Sequence, residues 1–168
     1  MNLVLIGYRG TGKSTVATLL AQQLDMEAVS LDAEIVRHAG RSIADIVAKH
    51  GWSYFRDLEA EITQRSAGRD HIIIDAGGGV ILRPENVTHL CHNGRLFWLR
   101  ASVPIIVARI GGGTDRPSLT EGKTFTEEIE DVLRERTPLY TGAAHHQVDT
   151  DDRTPAQVAA EIARLYRG

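Results

Sequence analysis

The sequence predicts an α/β fold: a three-layer α/β/α sandwich around a five-stranded parallel sheet. Strand-like apolar runs alternate with helical ones along the 168 residues, and this alternation is typical of parallel sheets with crossover helices. A glycine-rich loop, Gly7–Ser14, joins the first such strand to the first helix. The length suits one domain with a sizeable core and leaves little room for a second, so we expect residues 1–168 to form a single domain.

The predicted strands are short runs, and the first and third are rich in branched apolar side chains, as expected for strands buried on both faces. We place them at Leu3–Ile6, Ala28–Leu31, Ile72–Ala76, Leu96–Leu99 and Gln147–Asp149. Between the second and third strands, one helix begins at Ser42 and ends near Gly51, and a longer one runs from Trp52 to Ala67. Thr154-Pro155 begins the last helix, as an N-cap followed by a proline in the first turn.

The loop Gly7-Tyr8-Arg9-Gly10-Thr11-Gly12-Lys13-Ser14 matches the phosphate-binding pattern G-x-x-x-x-G-K-[ST] in its required strand-loop-helix context. Glycines allow the loop to curl so that backbone N–H groups face the phosphates, and the helix that follows adds its positive end. Lys13 is expected to reach the β- and γ-phosphates, and Ser14 to ligate Mg²⁺. The sequence therefore predicts a triphosphate site, with contacts from Gly10, Thr11, Gly12, Lys13, Ser14 and Thr15.

Composition narrows the expected partners. The net charge of −3 provides no basic field for nucleic acid, and the apolar run before the loop is too short to span a membrane. Cys91 is the single cysteine, and the histidines show no metal-ligand spacing, so neither a disulfide framework nor a histidine metal site is expected. We expect a cytoplasmic protein with small-molecule partners.

Chemically reactive side chains follow the second and third predicted strands. Asp32-Ala33-Glu34 comes after the second strand, and Asp75 precedes the triplet Gly77-Gly78-Gly79 after the third. Ligands bind beyond the carboxyl ends of such strands, so these residues are candidates for the site, although Glu34 is expected to favour the dipole of the helix it begins rather than to bind a ligand. The polar stretch 111–124 contains Arg116, and we expect it to act as a mobile lid that brings a cation to the transferring group.

Taken together, these features resemble the shikimate kinase family, which transfers the γ-phosphoryl of ATP to the 3-hydroxyl of shikimate. The resemblance extends over almost the whole chain and is specific because its motifs occur in order. They are Gly7–Ser14, Gly40–Ile46, Phe55-Arg56 with Glu59, Gly77–Gly79, Arg116-Pro117 with Leu119, and Glu135-Arg136 with Pro138-Leu139-Tyr140. The resemblance implies a P-loop kinase with strand order 2-3-1-4-5, ATP and shikimate as substrates, Mg²⁺ as cofactor, and a monomer.

The family pattern, together with the chemistry of the substrate, suggests residue roles. Arg56 and Arg136 can clamp the shikimate carboxylate, with Glu59 orienting Arg56, in a substrate-binding region at about 32–62. Asp32 can accept hydrogen bonds from hydroxyls and is our candidate general base. The resemblance further assigns Gly77, Gly78 and Gly79 to the substrate, Arg116 to the ATP phosphates, and Arg109 and Arg153 to the surroundings of the adenine.

Ordinary structural roles remain open for the two arginines. On spacing alone, Arg56 would suit an exposed helix position paired with Glu59 or Glu61, and Arg136 a cation near a helix C-terminus.

The chain departs from the family pattern at one position. The family has Asp-x-Asp after the second strand; here the second Asp is Asp32, but Ser30 occupies the place of the first, which supports Mg²⁺. Because a neutral hydroxyl is a poorer partner for a hard cation, we expect Asp75 to supply the missing acid. The alternative is that Asp75 only caps the glycine turn.

Two other functions compete with this interpretation. A gluconate-type sugar acid kinase would share the loop and lid but require a different acceptor pocket. A non-catalytic, ATP-dependent regulatory module is a less favoured alternative. The absence of a guanine-reading Asn-Lys-x-Asp motif argues against a GTPase.

Overall fold

The computed structural model describes residues 1–111 and 124–168, and these contain a five-stranded sheet in the order β2-β3-β1-β4-β5. All neighbouring strands pair in parallel. The strands are β1 (Asn2–Ile6), β2 (Glu27–Ser30), β3 (Ile72–Asp75), β4 (Gly94–Arg100) and β5 (His146–Asp149). The predicted fold class and strand order are confirmed.

Helices connect the strands within the described part of the chain. They are α1 (Lys13–Leu24), α2 (Leu31–Ala39), α3 (Ile43–Ala67), α4 (Pro84–His92), α5 (Val103–Ile110), α6 (Phe125–Ala143) and α7 (Pro155–Arg167). A short 3₁₀ turn spans Val80–Leu82. Gly51 breaks α3 with φ of 84° and ψ of 170°, at the point where the sequence predicts one helix to end and the next to begin.

The predicted second strand is wrong at its carboxyl end. Ser30 accepts a 3.2 Å hydrogen bond from the backbone N–H of Ala33 and is the N-cap of α2, so Leu31 is the first helical residue. Leu31 looks like a strand residue because its side chain is fully buried. As a consequence, Asp32 lies in the first turn of a helix, two residues after the end of β2.

Alternating side chains of β1 supply the two halves of the core. Val4 and Ile6 face a cluster that includes side chains of α3 and α4, whereas Leu3 and Leu5 face a cluster formed largely with α1 and α7. Because successive strand residues point to opposite faces, this pattern places helices on both sides of the sheet. No helix in residues 1–111 or 124–168 is long and apolar enough to cross a membrane.

Candidate active site

The glycine-rich loop curls over the carboxyl end of β1. Gly7 has φ of 141°, and a Cβ at this position would lie 2.5 Å from the carbonyl oxygen of Leu99. Gly12, the N-cap of α1, has a left-handed φ of 93°. Side chains larger than hydrogen would be strained at both positions, so the glycines allow the backbone to wrap closely around a small volume.

The ammonium group of Lys13 lies inside this loop. Its Nζ donates to the carbonyl oxygens of Gly7 at 2.7 Å and Tyr8 at 3.1 Å. The Thr11 hydroxyl also donates to the Tyr8 carbonyl, at 2.8 Å. The loop thus holds a buried cation from the first residue of α1, where the N-terminal end of the helix also favours negative charge.

Ser14 and Asp75 meet at the base of the loop. The Ser14 hydroxyl donates a 2.6 Å hydrogen bond to Oδ2 of Asp75, a buried carboxylate at the end of β3. Ser30 is the register partner of Asp75 across β2 and β3, so the two positions lie side by side on neighbouring strands. The hydroxyl of Ser30 caps α2, while the acid lies on the strand beside the loop.

A cavity of about 330 Å³ lies between the loop and the residues that follow β2 and β3. It brings together predicted phosphate-binding residues with Asp32, Asp75 and the glycine turn. Its lining consists of Arg9, Gly10, Gly12, Lys13, Ser14, Thr15, Ser30, Asp32, Asp75, Ala76, Gly77 and Gly78. Thr11 lies on the other side of the loop, in a different cavity.

Two guanidinium groups flank the glycine turn. A Cβ on Gly79 would lie 2.3 Å from Nη1 of Arg56, and one on Gly78 would lie 3.5 Å from Nη1 of Arg136. Arg56 donates to Glu59 at 2.9 Å, with exposed side-chain fractions of 12% and 1%, and Arg136 is buried. Burial argues against the interpretation of Arg56 as an exposed surface residue. Both cations therefore lie next to the edge of the cavity.

Tyr140 is a functional residue that the sequence alone does not indicate, although Pro138-Leu139-Tyr140 is part of the family pattern. Its hydroxyl donates to the carbonyl oxygen of Gly78, and its ring stacks on Trp98 with centroids 5.4 Å apart. Burial raises the pKa of Tyr140 from 10.0 to about 12, so the phenol is neutral and remains a donor at physiological pH. Tyr140 thereby anchors the glycine turn to α6, the helix that also contains Arg136.

A second cavity, of about 340 Å³, lies on the other side of the loop and brings Arg109 and Arg153 together. Arg109 donates to the carbonyl of Gly10 at 3.2 Å and to the hydroxyl of Thr150 at 3.0 Å. Arg153 pairs with Glu161. Gly10, Gly12 and Thr15 line both this cavity and the one that contains Asp32 and Asp75.

Arg116 and most of the predicted lid lie outside the described residues, so its role and the lid stay predictions. Within residues 1–111 and 124–168, no group of three or more His, Cys, Asp or Glu side chains is arranged to hold a metal ion. Protein ligands for Mg²⁺ in this part of the chain would therefore come from a smaller set, such as Ser14 and Asp75.

A sequence model of shikimate kinase matches residues 9–167. The chain belongs to the shikimate kinase family. The predicted family and ATP-dependent kinase function are confirmed by this match and by the relatives described next.

Curated members of the shikimate kinase family are similar over most of their length. A shikimate kinase from Nitratidesulfovibrio vulgaris is 42% identical over 150 residues, which cover 88% of this chain and 85% of the relative. A shikimate kinase from Thermodesulfovibrio yellowstonii is 39% identical over 165 residues, which cover 98% of this chain and 94% of the relative. The similarity thus includes both the loop and the acceptor side.

Solved structures of the same family share the fold. A shikimate kinase from Acinetobacter baumannii in complex with shikimate superposes with a TM-score of 0.94 at 30% identity, covering 99% of this chain and 92% of that one. The shikimate kinase from Aquifex aeolicus superposes with a TM-score of 0.83 at 28% identity, covering 100% of this chain and 97% of that one.

Proposed function

We propose that this chain transfers the γ-phosphoryl of ATP to the 3-hydroxyl of shikimate, giving shikimate 3-phosphate and ADP. The supporting observation is that Arg56 and Arg136 flank the turn Gly77–Gly79 at the edge of the phosphate-loop cavity. A triphosphate site beside two guanidinium groups, one buried and one only 12% exposed, suits an acceptor with one carboxylate and several hydroxyls.

On the donor side, the loop binds the triphosphate. Backbone N–H groups and the N-terminus of α1 face the phosphates, and Lys13 turns its ammonium group from the Gly7 and Tyr8 carbonyls toward the β- and γ-phosphates. The cavity that contains Arg109 and Arg153 receives the nucleoside. Arg116 adds a cation at the transferring group in this proposal.

On the acceptor side, Arg56 and Arg136 bind the carboxylate of shikimate and thereby orient its ring. Gly77, Gly78 and Gly79 allow the substrate to approach the backbone closely because they have no side chain. Asp32, in the first turn of α2 and in the cavity lining, accepts hydrogen bonds from the ring hydroxyls. It also receives the proton that the 3-hydroxyl loses.

Mg²⁺ fits the base of the loop. The Ser14 hydroxyl and the Asp75 carboxylate are hard oxygen ligands in contact with each other, which is the donor chemistry that Mg²⁺ prefers. When bound there, Mg²⁺ would neutralise charge on the β- and γ-phosphates. We propose that Asp75 takes this role in place of an acid at Ser30, whose hydroxyl caps α2.

The test is ADP release measured with purified protein, ATP and Mg²⁺, with and without shikimate. We expect ADP release that depends on shikimate and is not produced by gluconate. A Lys13→Met variant, with its fold checked by circular dichroism, should lose most of the turnover. Folded wild-type protein that releases no shikimate-dependent ADP would reject the proposal, and turnover with gluconate alone would favour the sugar acid kinase.

We also propose that the chain acts as a monomer in the cytoplasm, the compartment that supplies ATP. The large exposed apolar side chains in the described residues lie on several different elements rather than on one. Examples are Val36 on α2, Tyr54 on α3 and Leu139 on α6. Light scattering coupled to gel filtration should give a mass near 18.4 kDa. A mass twice as large would contradict the monomer.

A further inference from the structure

Arg9 is a loop cation to which none of the roles above applies. It is half-buried and lines the phosphate-loop cavity together with Lys13, Asp32 and Gly78. Its guanidinium carbon lies 5.9 Å from the ring centroid of Phe125, the first residue of α6. Among residues 1–111 and 124–168, Arg9 has this aromatic contact but no hydrogen bond or ion pair.

This arrangement suits an anionic ligand. The aromatic face restrains the guanidinium without using its five N–H donors, which remain available for a planar bidentate contact. Arg9 and Lys13 line the same cavity, so their positive charges repel each other. An anion bound between them relieves this repulsion. Arg9 is therefore restrained and has its donors available, as expected for a residue that binds oxyanions.

The reaction offers two anions, the carboxylate of the acceptor and the phosphoryl group. Arg56 and Arg136 already lie at the glycine turn on the acceptor side. Arg9 instead belongs to the phosphate loop, at the point where the loop meets that turn: its backbone nitrogen would lie 3.6 Å from a Cβ on Gly78. This position is between the donor phosphates and the acceptor.

We propose that Arg9 binds the phosphoryl group as it passes from ATP to the acceptor, and stays bound to the phosphate of the product. In this step the bond between the γ-phosphorus and its bridging oxygen breaks, and ADP leaves with that oxygen. A new bond forms to the 3-hydroxyl oxygen, whose proton goes to Asp32. Arg9 neutralises charge on the non-bridging oxygens, so its contribution is larger in the transition state than with bound shikimate. The proposal rests on the phosphotransfer proposed above.

The experiment compares wild type with Arg9→Met, which keeps an unbranched side chain without charge, and Arg9→Lys, which keeps a charge without the planar fork. Arg65→Met is the matched control, because Arg65 on α3 is 58% exposed and outside the cavity. We expect Arg9→Met to lower kcat by ~10- to 100-fold with the KM for shikimate changed less than ~3-fold. Arg9→Lys should recover part of kcat, and the control should match wild type.

Calorimetric titration provides the second readout. Arg9→Met should bind shikimate 3-phosphate ~10-fold more weakly than wild type while its affinity for shikimate stays within ~3-fold. If Arg9→Met does not fold, Phe125→Leu keeps the cation but removes the ring; it should lower kcat by ~2- to 5-fold and leave the KM for shikimate unchanged.

Three results would overturn the role of Arg9: an unchanged kcat in the folded Arg9→Met variant, an unchanged kcat in Phe125→Leu, or equal loss of affinity for shikimate and its phosphate. The last would mean that Arg9 binds the carboxylate. Wild type is assayed first, so absence of shikimate-dependent turnover there would reject the proposed function, whereas normal wild-type turnover with an unaffected variant would reject the role of Arg9 alone.

Discussion

Ser14 and Asp75, 61 residues apart in the chain, are joined by a 2.6 Å hydrogen bond at the base of the phosphate loop. The parallel pairing of β1 with β3 places the end of β3 beside the loop that follows β1. Ser30 occupies the matching position on β2, in register with Asp75. The acid that the family pattern has at the end of β2 is replaced here by Ser30, and Asp75 supplies an acid at the matching position of β3.

The first prediction concerns the carboxylate of Asp75. Asp75→Asn keeps the shape of the side chain but removes the charge, so we expect the Mg²⁺ concentration for half-maximal activity to rise by ~10-fold or more. The measurement is turnover against Mg²⁺ at saturating ATP and shikimate. The double variant Ser30→Asp/Asp75→Asn should recover part of the Mg²⁺ affinity, because the two positions are register partners.

Ser30→Ala is the control for that prediction. It removes the N-cap of α2 and should lower the free energy of unfolding by ~1 kcal/mol, with little change in Mg²⁺ dependence. An unaltered Mg²⁺ requirement in Asp75→Asn would mean that Asp75 only caps the glycine turn.

Periodicity and loop chemistry were sufficient to predict the sheet and the loop. The strands that the sequence predicts overlap all five observed ones, because short runs of three to five residues between helical segments have few alternatives. Leu31 was misassigned because burial alone does not distinguish a strand end from the first turn of a helix. The contact of Ser14 with Asp75 could be anticipated, since Asp75 ends a strand expected to lie beside the one that leads into the loop of Ser14.

A second prediction uses the glycine turn. Ala at Gly79 would place its Cβ 2.3 Å from Nη1 of Arg56 and force that guanidinium to move. The KM for shikimate should therefore rise by ~10-fold or more while the KM for ATP changes little. Steady-state kinetics with each substrate varied in turn give both values.

Gly142→Ala is the matched control, because Gly142 lies inside α6 and a Cβ there would meet no heavy atom within 4 Å apart from its chain neighbours and the backbone of its own helix. This variant should be active and more stable by up to ~1 kcal/mol. If Gly79→Ala has an unchanged KM for shikimate, the turn does not set the position of Arg56.

A third prediction concerns Glu59, which is 1% exposed and accepts a hydrogen bond from Arg56 at 2.9 Å. Glu59→Gln keeps an acceptor but removes the charge that orients the guanidinium. We expect a ~3- to 10-fold higher KM for shikimate and a loss of ~1–3 kcal/mol in the free energy of unfolding. Urea unfolding and steady-state kinetics measure both effects. Glu61→Gln, in an exposed pair with Arg65, is the control variant. Equal effects of the two substitutions on KM would exclude a specific role for Glu59.

The fourth prediction follows from the pKa of Tyr140, which burial raises from 10.0 to about 12. Between these pH values the unfolded chain releases the phenolic proton and the folded chain keeps it. The contribution of Tyr140 to stability is thus fully present below pH 10 and is lost toward pH 12, at up to ~1.4 kcal/mol per pH unit. Urea unfolding from pH 9 to 11.5 should show a steeper decline in wild type than in Tyr140→Phe.

At neutral pH, Tyr140→Phe should also lower the free energy of unfolding by ~1–3 kcal/mol, because the carbonyl of Gly78 loses its donor. Identical alkaline slopes in the two proteins would contradict the assignment of the raised pKa to this buried phenol.

Contacts that depend on α6 could not be predicted from the sequence. Tyr140 reaches Gly78 across 62 residues of chain, and Arg9 meets Phe125 only because the start of α6 packs beside the loop. Periodicity indicates which face of a helix is buried, but it does not specify which side chain meets a given carbonyl or ring. Such pairs are determined by the packing of helix against turn.

The most direct test of the proposed chemistry is phosphorus NMR of a reaction containing wild-type protein, ATP, Mg²⁺ and shikimate. The proposal predicts that the γ-phosphate signal of ATP disappears while ADP and one phosphate monoester, coupled to the proton on C3 of shikimate, appear in equal amounts. Inorganic phosphate as the main product, or a monoester at another hydroxyl, would contradict it.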